Sequence, residues 1–148
     1  MKRQYCASVY IIDFEAETIL LMYNKKLEKW LQPGGHIENM ELPFETCLRE
    51  AKEETGIDVS LLNNSSFTSF NYQPVYVEHY KNKVGDMIDF QFVAFPLNKK
   101  LSNNSENNLV KWQNISNIDT ECDIDDEIKF KAKFLFNTYR ETYFLLNS

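Results

Sequence analysis

The chain has 148 residues, 43% of them apolar and 14% aromatic, enough to fill one hydrophobic core, so residues 1–148 are expected to form a single domain. Its formal net charge is −6, and no run of Lys or Arg is longer than a pair, so the basic footprint of a protein that grips DNA or RNA is missing and polymeric nucleic acid is not an expected partner. No stretch approaches the roughly 20 apolar residues needed to cross a bilayer, and the opening "MKRQYCASVYIIDF" lacks the apolar core and small-residue cleavage site of a secretory signal. Cys6, Cys47 and Cys122 are odd in number and widely spaced, a pattern that points to free thiols in a reducing cytoplasm rather than a disulfide framework or a zinc site.

In chain order, "YCASVYII" (5–12) and "TILLMY" (18–23) are β-prone runs around the polar "DFEAE", which together read as a hairpin. "WLQPGG" then breaks the chain with Pro33, Gly34 and Gly35. Pro43 suits a first helical position and Gly56 the residue just past a helix end, so the spacing predicts a helix over about 43–55. Leu42 stands where a Ser or Thr cap is usual, with Glu45 placed to reach back to the backbone. Beyond Ile57, "SFTSFNY" (66–72), "VYVEHY" (75–80) and "MIDFQFVAFPL" (87–97) read as strands. The Asn-rich 98–108 reads as an exposed loop, and "LVKW" (109–112) as a short strand. In the last segment Ile128, Ala132, Leu135, Phe136, Tyr139 and Tyr143 recur at helical spacing behind an acidic first turn, predicting a packed C-terminal helix.

The first helix raises a chemical question. Projected at about 100° per residue, Phe44, Cys47, Leu48, Ala51 and Thr55 share a packing arc, while Glu50, Glu53 and Glu54 lie at about 0°, 300° and 40° on the adjoining one. Like charges at such spacing cost a helix about 0.2–0.5 kcal/mol per pair. A hard divalent cation would offset that repulsion: oxygen donors without a Cys or His cluster suit Mg²⁺, which shares its remaining positions with substrate phosphates. A solvated acidic face is the plain alternative, and the acids alone favour it.

The spacing around them changes the balance. Gly35, Glu41, Arg49-Glu50, Ala51, Glu53-Glu54 and Gly56-Ile57 resemble the Nudix box at each of its specified positions, with Ala51 small where a bulkier aliphatic is common. "WLQPGG" is similar to the family's approach to the box, and "LVKWQNIS" to the tryptophan-bearing strand before its last helix, with Asn114 where a proline is common. The resemblance implies the Nudix α/β/α sandwich, an α/β fold with a mixed sheet between helices. It implies metal ligation by Glu53, Glu54, Glu50 and the Gly35 carbonyl, catalytic parts for Glu50, Glu53 and Arg49, with Glu50 a ligand or the water-activating base and the choice of base left open among the three helix acids, and an Arg49 that pairs with Glu53 and holds it ready. Glu41 would brace the loop against the helix or meet a second metal.

The activity implied is hydrolysis of a diphosphate bond in a small nucleoside diphosphate derivative, whether a nucleoside triphosphate, a nucleotide sugar or a dinucleotide. Mg²⁺ would be the cofactor, Mn²⁺ a possible substitute, and a homodimer is among the expected states because several members pair. The alternative is a catalytically silent Nudix domain that binds nucleotides as a regulatory module, against which the intact acid set speaks. Outside the box, His36 is a candidate substrate contact and His79 an ordinary satisfied histidine. Tyr72, Pro74 and Tyr76 match no subfamily spacing cleanly, and Asp89, in an apolar run, faces either the cleft or solvent. Glu106, Glu121, Asp123, Asp125, Asp126 and Glu127 are further acids among which sequence does not choose.

Overall fold

The computed structural model describes residues 2–62, 72–81, 83, 85–101 and 109–148; the strand expected at 66–72 and Glu106 lie almost wholly or wholly outside them. Strand β1 (Arg3–Asp13) and β2 (Thr18–Asn24) form the expected hairpin, antiparallel at Ile12 with Ile19 and Asp13 with Thr18. Its turn is held by the Asp13 carboxylate, which accepts the Glu15 and Ala16 amides at 3.1 and 3.0 Å, the usual device by which an aspartate closes a turn. Two three-residue strands follow where only chain punctuation was expected: β3 (Lys29–Leu31) on β2, and β4 (Gly34–His36) on the first half of β1. Helix α1 (Pro43–Thr55), short β5 (Val59–Leu61), β6 (Tyr76–Lys81), β7 (Asp86–Pro96), β8 (Val110–Asn114) and, after a 3₁₀ turn, α2 (Asp126–Leu146) complete the described order.

The sheet is mixed. β1 runs parallel to β7 from Arg3 beside Asp86 to Ile11 beside Ala94, and the other described pairings are antiparallel. Successive strand residues point to opposite faces, so the sheet divides two cores. Ala7, Val9 and Ile11, with Leu20, Phe92 and Ala94, pack with Cys47 and Ala51 of α1. Tyr10, Ile12 and Phe14, with Ile19, Leu21 and Val93, pack with Ile128, Ala132, Leu135, Phe136, Tyr139 and Tyr143 of α2. One helix thus covers each face, giving the α/β/α sandwich. None of the described helices is long and apolar enough to cross a membrane.

Helix α1 begins and ends as its punctuation predicts. The Glu45 carboxylate accepts the Leu42 amide at 2.9 Å, replacing the missing side-chain cap. Gly56 adopts the left-handed φ of 78° and returns its amide to the Lys52 carbonyl at 2.9 Å. The projected packing arc needs one correction. Leu48 is exposed, whereas Thr46 and the acid Glu54 are buried with Cys47, Ala51 and Thr55. The helix is rotated toward β4, because Glu54 meets a backbone amide there and its burial is compensated by that bond.

Candidate active site

Gly34 and Gly35 of β4 lie closely between β1 and α1. A Cβ on Gly34 would lie 2.6 Å from the Ser8 Cβ and 2.7 Å from the Ala7 carbonyl oxygen, and one on Gly35 would lie 2.5 Å from Glu50 Oε1. At Gly34, against the backbone of β1, only glycine permits that approach, while at Gly35 a side chain would displace the Glu50 carboxylate. The Gly34 amide donates to Glu54 Oε1 at 2.9 Å, and the Cys47 thiol donates to the Ser8 carbonyl at 3.3 Å, so helix, β4 and β1 are clamped together where the box acids emerge.

Arg49 lies among those acids. Its Nε and Nη2 donate to the two oxygens of Glu41 at 2.7 and 3.1 Å. Nη1 donates to Glu50 at 2.8 Å and to Glu53 at 3.2 Å, and Nη2 also reaches the His36 carbonyl at 3.1 Å. The contact with Glu53 expected from the four-residue spacing is present, yet the paired bonds to Glu41 are the stronger geometry. Glu41 in turn accepts the Glu38 amide and the Thr46 hydroxyl at 3.0 and 2.9 Å. The guanidinium holds the Glu41 carboxyl at about 2, well below the usual carboxylate range. Burial raises the Glu50 carboxyl, with the Arg49 bond opposing.

Among the described residues, no three His, Cys, Asp or Glu side chains converge to form a preassembled metal cage; the guanidinium takes oxygens of Glu50 and Glu53 that a cation would otherwise share. The donor set nonetheless fits a hard cation. Its members are carboxylates and the Gly35 backbone of β4, which lies directly against the Glu50 carboxylate, and oxygen donors of this kind suit Mg²⁺ or Mn²⁺ rather than zinc. Gly35, Glu50, Glu53 and Glu54 are the residues that would hold it.

A family model described as the NUDIX domain matches residues 2–137. The chain belongs to the Nudix family. A Nudix hydrolase structure from Clostridium perfringens superposes with a TM-score of 0.80 at 28% identity, over 93% of this chain and 99% of that one. The Nudix fold is also shared with the Ap4A hydrolase of C. elegans, at a TM-score of 0.61 and 20% identity over 97% and 99% of the two chains. Among curated Nudix relatives, the asymmetrical bis(5′-nucleosyl)-tetraphosphatase of Mus musculus is 37% identical over 67 residues, 45% of this chain. The chain spans 44% of that protein's length.

Beside the Nudix box, β4 borders a cavity of about 200 Å³ whose lining includes Ser8, Gln32, Tyr80, Met87 and Asp89. Asp89 is buried. Of the two readings of Asp89, cleft or solvent, the structure bears out the cleft, while Ser8, Gln32, Tyr80 and Met87 were not singled out by the sequence. The other candidates lie in ordinary contacts. His79 pairs with Asp86 at 2.6 Å on the exposed end of β6, and His36 sets its ring 3.9 Å from the Cys6 sulfur. Tyr72 tilts against Phe44, and Tyr76 carries Lys131 over its ring. Asp123 accepts the Trp30 indole at 3.1 Å, Asp125 pairs with Lys29, and Glu127 pairs with Lys131.

Proposed function

We propose that the chain is a divalent-metal-dependent pyrophosphohydrolase that cleaves a diphosphate bond in a small nucleoside diphosphate derivative: a nucleoside triphosphate, a nucleotide sugar or a dinucleotide. The observation that carries this reading is the meeting of α1 with the glycines of β4. Glu54 is bonded to the Gly34 amide, Glu50 is pressed against Gly35, and Arg49 fixes Glu41, Glu50 and Glu53 around them. The mouse tetraphosphatase and the nematode hydrolase supply names consistent with a polyphosphate-bearing nucleotide. The proposed setting is one domain over residues 1–148 acting in the cytoplasm.

Gly35, Glu50, Glu53 and Glu54 would hold Mg²⁺, or Mn²⁺ in its place, which when bound supplies charge neutralisation for the phosphates as phosphorus is attacked. Glu50 or Glu53 accepts a proton from the attacking water, and Arg49 fixes the direction in which those carboxylates point. The water oxygen bonds to one phosphorus as the bridging P–O bond breaks, and the leaving phosphate takes up the bridging oxygen with its electron pair. A binding module has no use for a base so placed.

The test is turnover with Mg²⁺ on nucleoside triphosphates, nucleotide sugars and dinucleoside polyphosphates. Glu53→Gln and Glu54→Gln are expected to lower it by about 10²- to 10⁴-fold. Near-wild-type turnover in both variants would reject the assignment, and wild-type binding of nucleotides without turnover of any would establish the silent module instead.

A further inference from the structure

Two residues that line the cavity beside β4, Asp89 and Gln32, each carry a buried acceptor with no hydrogen-bond partner, Asp89 Oδ1 and Gln32 Oε1. Leaving such atoms unpaired costs a protein stability, so native structures keep few of them. Their surroundings fix what they can do. Asp89, only 8% exposed, accepts from the Ser8 hydroxyl at 2.9 Å and from Gln91 Nε2 at 3.1 Å, both at Oδ2. The Gln91 amide cannot be turned over: its Oε1 accepts the Tyr10 hydroxyl at 3.1 Å and the Lys131 ammonium at 3.0 Å, and an ammonium has no lone pair to offer. Lys131 is itself held by Glu127 at 2.6 Å and by Glu78. Because Ser8 spends its proton on Asp89, it offers a lone pair to Gln32 Nε2 at 3.5 Å. That sets the Gln32 amide with its carbonyl oxygen as the unpartnered atom.

The occupant must therefore bring donors. Phosphate is repelled by Asp89. A divalent ion needs more oxygen ligands than are gathered here, and no trio of ligating side chains exists among the described residues. The ring of Tyr80 and the side chain of Met87 supply apolar walls, which suit a flat heterocycle with polar groups along one edge. An exocyclic amino group puts two N–H donors in one place, whereas uracil flanks a single N–H with two carbonyl oxygens. We infer that Asp89 and Gln32 form a base-reading pair that selects nucleotides of amino-bearing bases (adenine, cytosine or guanine) over uridine nucleotides.

This rests on the proposed nucleotide hydrolysis, and the test separates the two. kcat/KM is measured for ATP, CTP, GTP and UTP with Mg²⁺, and Kd for their α,β-methylene analogues, in wild type, Asp89→Asn and Gln32→Met. Wild type is expected to favour at least one amino-bearing base over uracil by about tenfold or more. In Asp89→Asn the new carbonyl oxygen keeps the donors from Ser8 and Gln91, so the new NH₂ group faces the cavity and the preference shifts toward uracil by about tenfold or more. Gln32→Met, which leaves the Asp89 network intact, shifts it the same way by less. Base preference in Kd without turnover of any nucleoside triphosphate, nucleotide sugar or dinucleoside polyphosphate would sink the hydrolase reading and keep this one. Equal treatment of all four bases, an equal loss on all four in both variants, or a changed Mg²⁺ midpoint with unchanged base preference would overturn it.

Discussion

Arg49→Met removes the guanidinium at the centre of the acidic cluster, and its cost is calculable. A Glu41 carboxyl held at about 2 instead of 4.5 corresponds to about 3 kcal/mol for a pair shielded from water. The arginine and glutamate side chains are 21% and 19% exposed, so solvent screening brings the figure to about 1–2 kcal/mol. Glu50 and Glu53 lose their shared donor and repel Glu41 more strongly, adding about 1 kcal/mol. Urea denaturation at pH 7 is thus expected to show a loss of about 2–3 kcal/mol. Because the folded Glu41 value is depressed, the contribution is complete above about 4.5 and disappears as pH falls toward about 2. The gap between wild type and variant should therefore narrow through that window. Added Mg²⁺ should also narrow it at pH 7, since a bound cation replaces some of the lost charge. A pH-independent difference below about 0.5 kcal/mol would refute the reasoning, because the cluster would then be no more than a solvated surface.

Gly34→Ala should cost more stability than Gly35→Ala. The first drives a methyl into the backbone and Cβ of β1, while the second meets the movable end of Glu50; about 2–4 and 1–2 kcal/mol are expected from thermal or urea melts. Gly35→Ala should still depress turnover strongly by displacing Glu50, and an active, fully stable Gly34→Ala would contradict the close packing. Lys131→Met should lower stability by about 1–3 kcal/mol in urea melts, since Glu78, Glu127 and Gln91 each lose a buried donor. A change under about 0.5 kcal/mol would show that the network makes no net contribution.

Local signals were readable in the sequence because their causes are local. Pro43 and Gly56 fix the two ends of α1, and the six apolar positions expected on the packed face of α2 are all buried, joined there by Lys131, which apolar spacing could not reveal. The short strands β3, β4 and β5 were not legible: three residues carry too little periodicity, and β4 is a strand only because the glycines lie against β1. Leu48 was misplaced because helical projection knows spacing and not the rotation that the Glu54 bond to Gly34 imposes. Arg49 was assigned its helical neighbour Glu53, and the stronger partner Glu41 depends on how the loop returns. Ser8, Gln32 and Asp89 come together only through strand register, since Ser8 pairs beside Gln91 across a parallel ladder.

That parallel ladder also governs how the molecule is made. Arg3 through Ile11 find their partners at Asp86 through Ala94, a long excursion of chain that must be completed before either strand gains its neighbour. Topologies rich in such distant pairings fold slowly, because the entropy of bringing the ends together is lost before any contact repays it. On a ribosome β1 must wait, one edge unsatisfied, until the chain through β7 has followed it. The part of the cavity lining joined by the Ser8 to Asp89 bond across that ladder is consequently assembled late, and a nascent chain acquires its pocket only once β1 and β7 have paired.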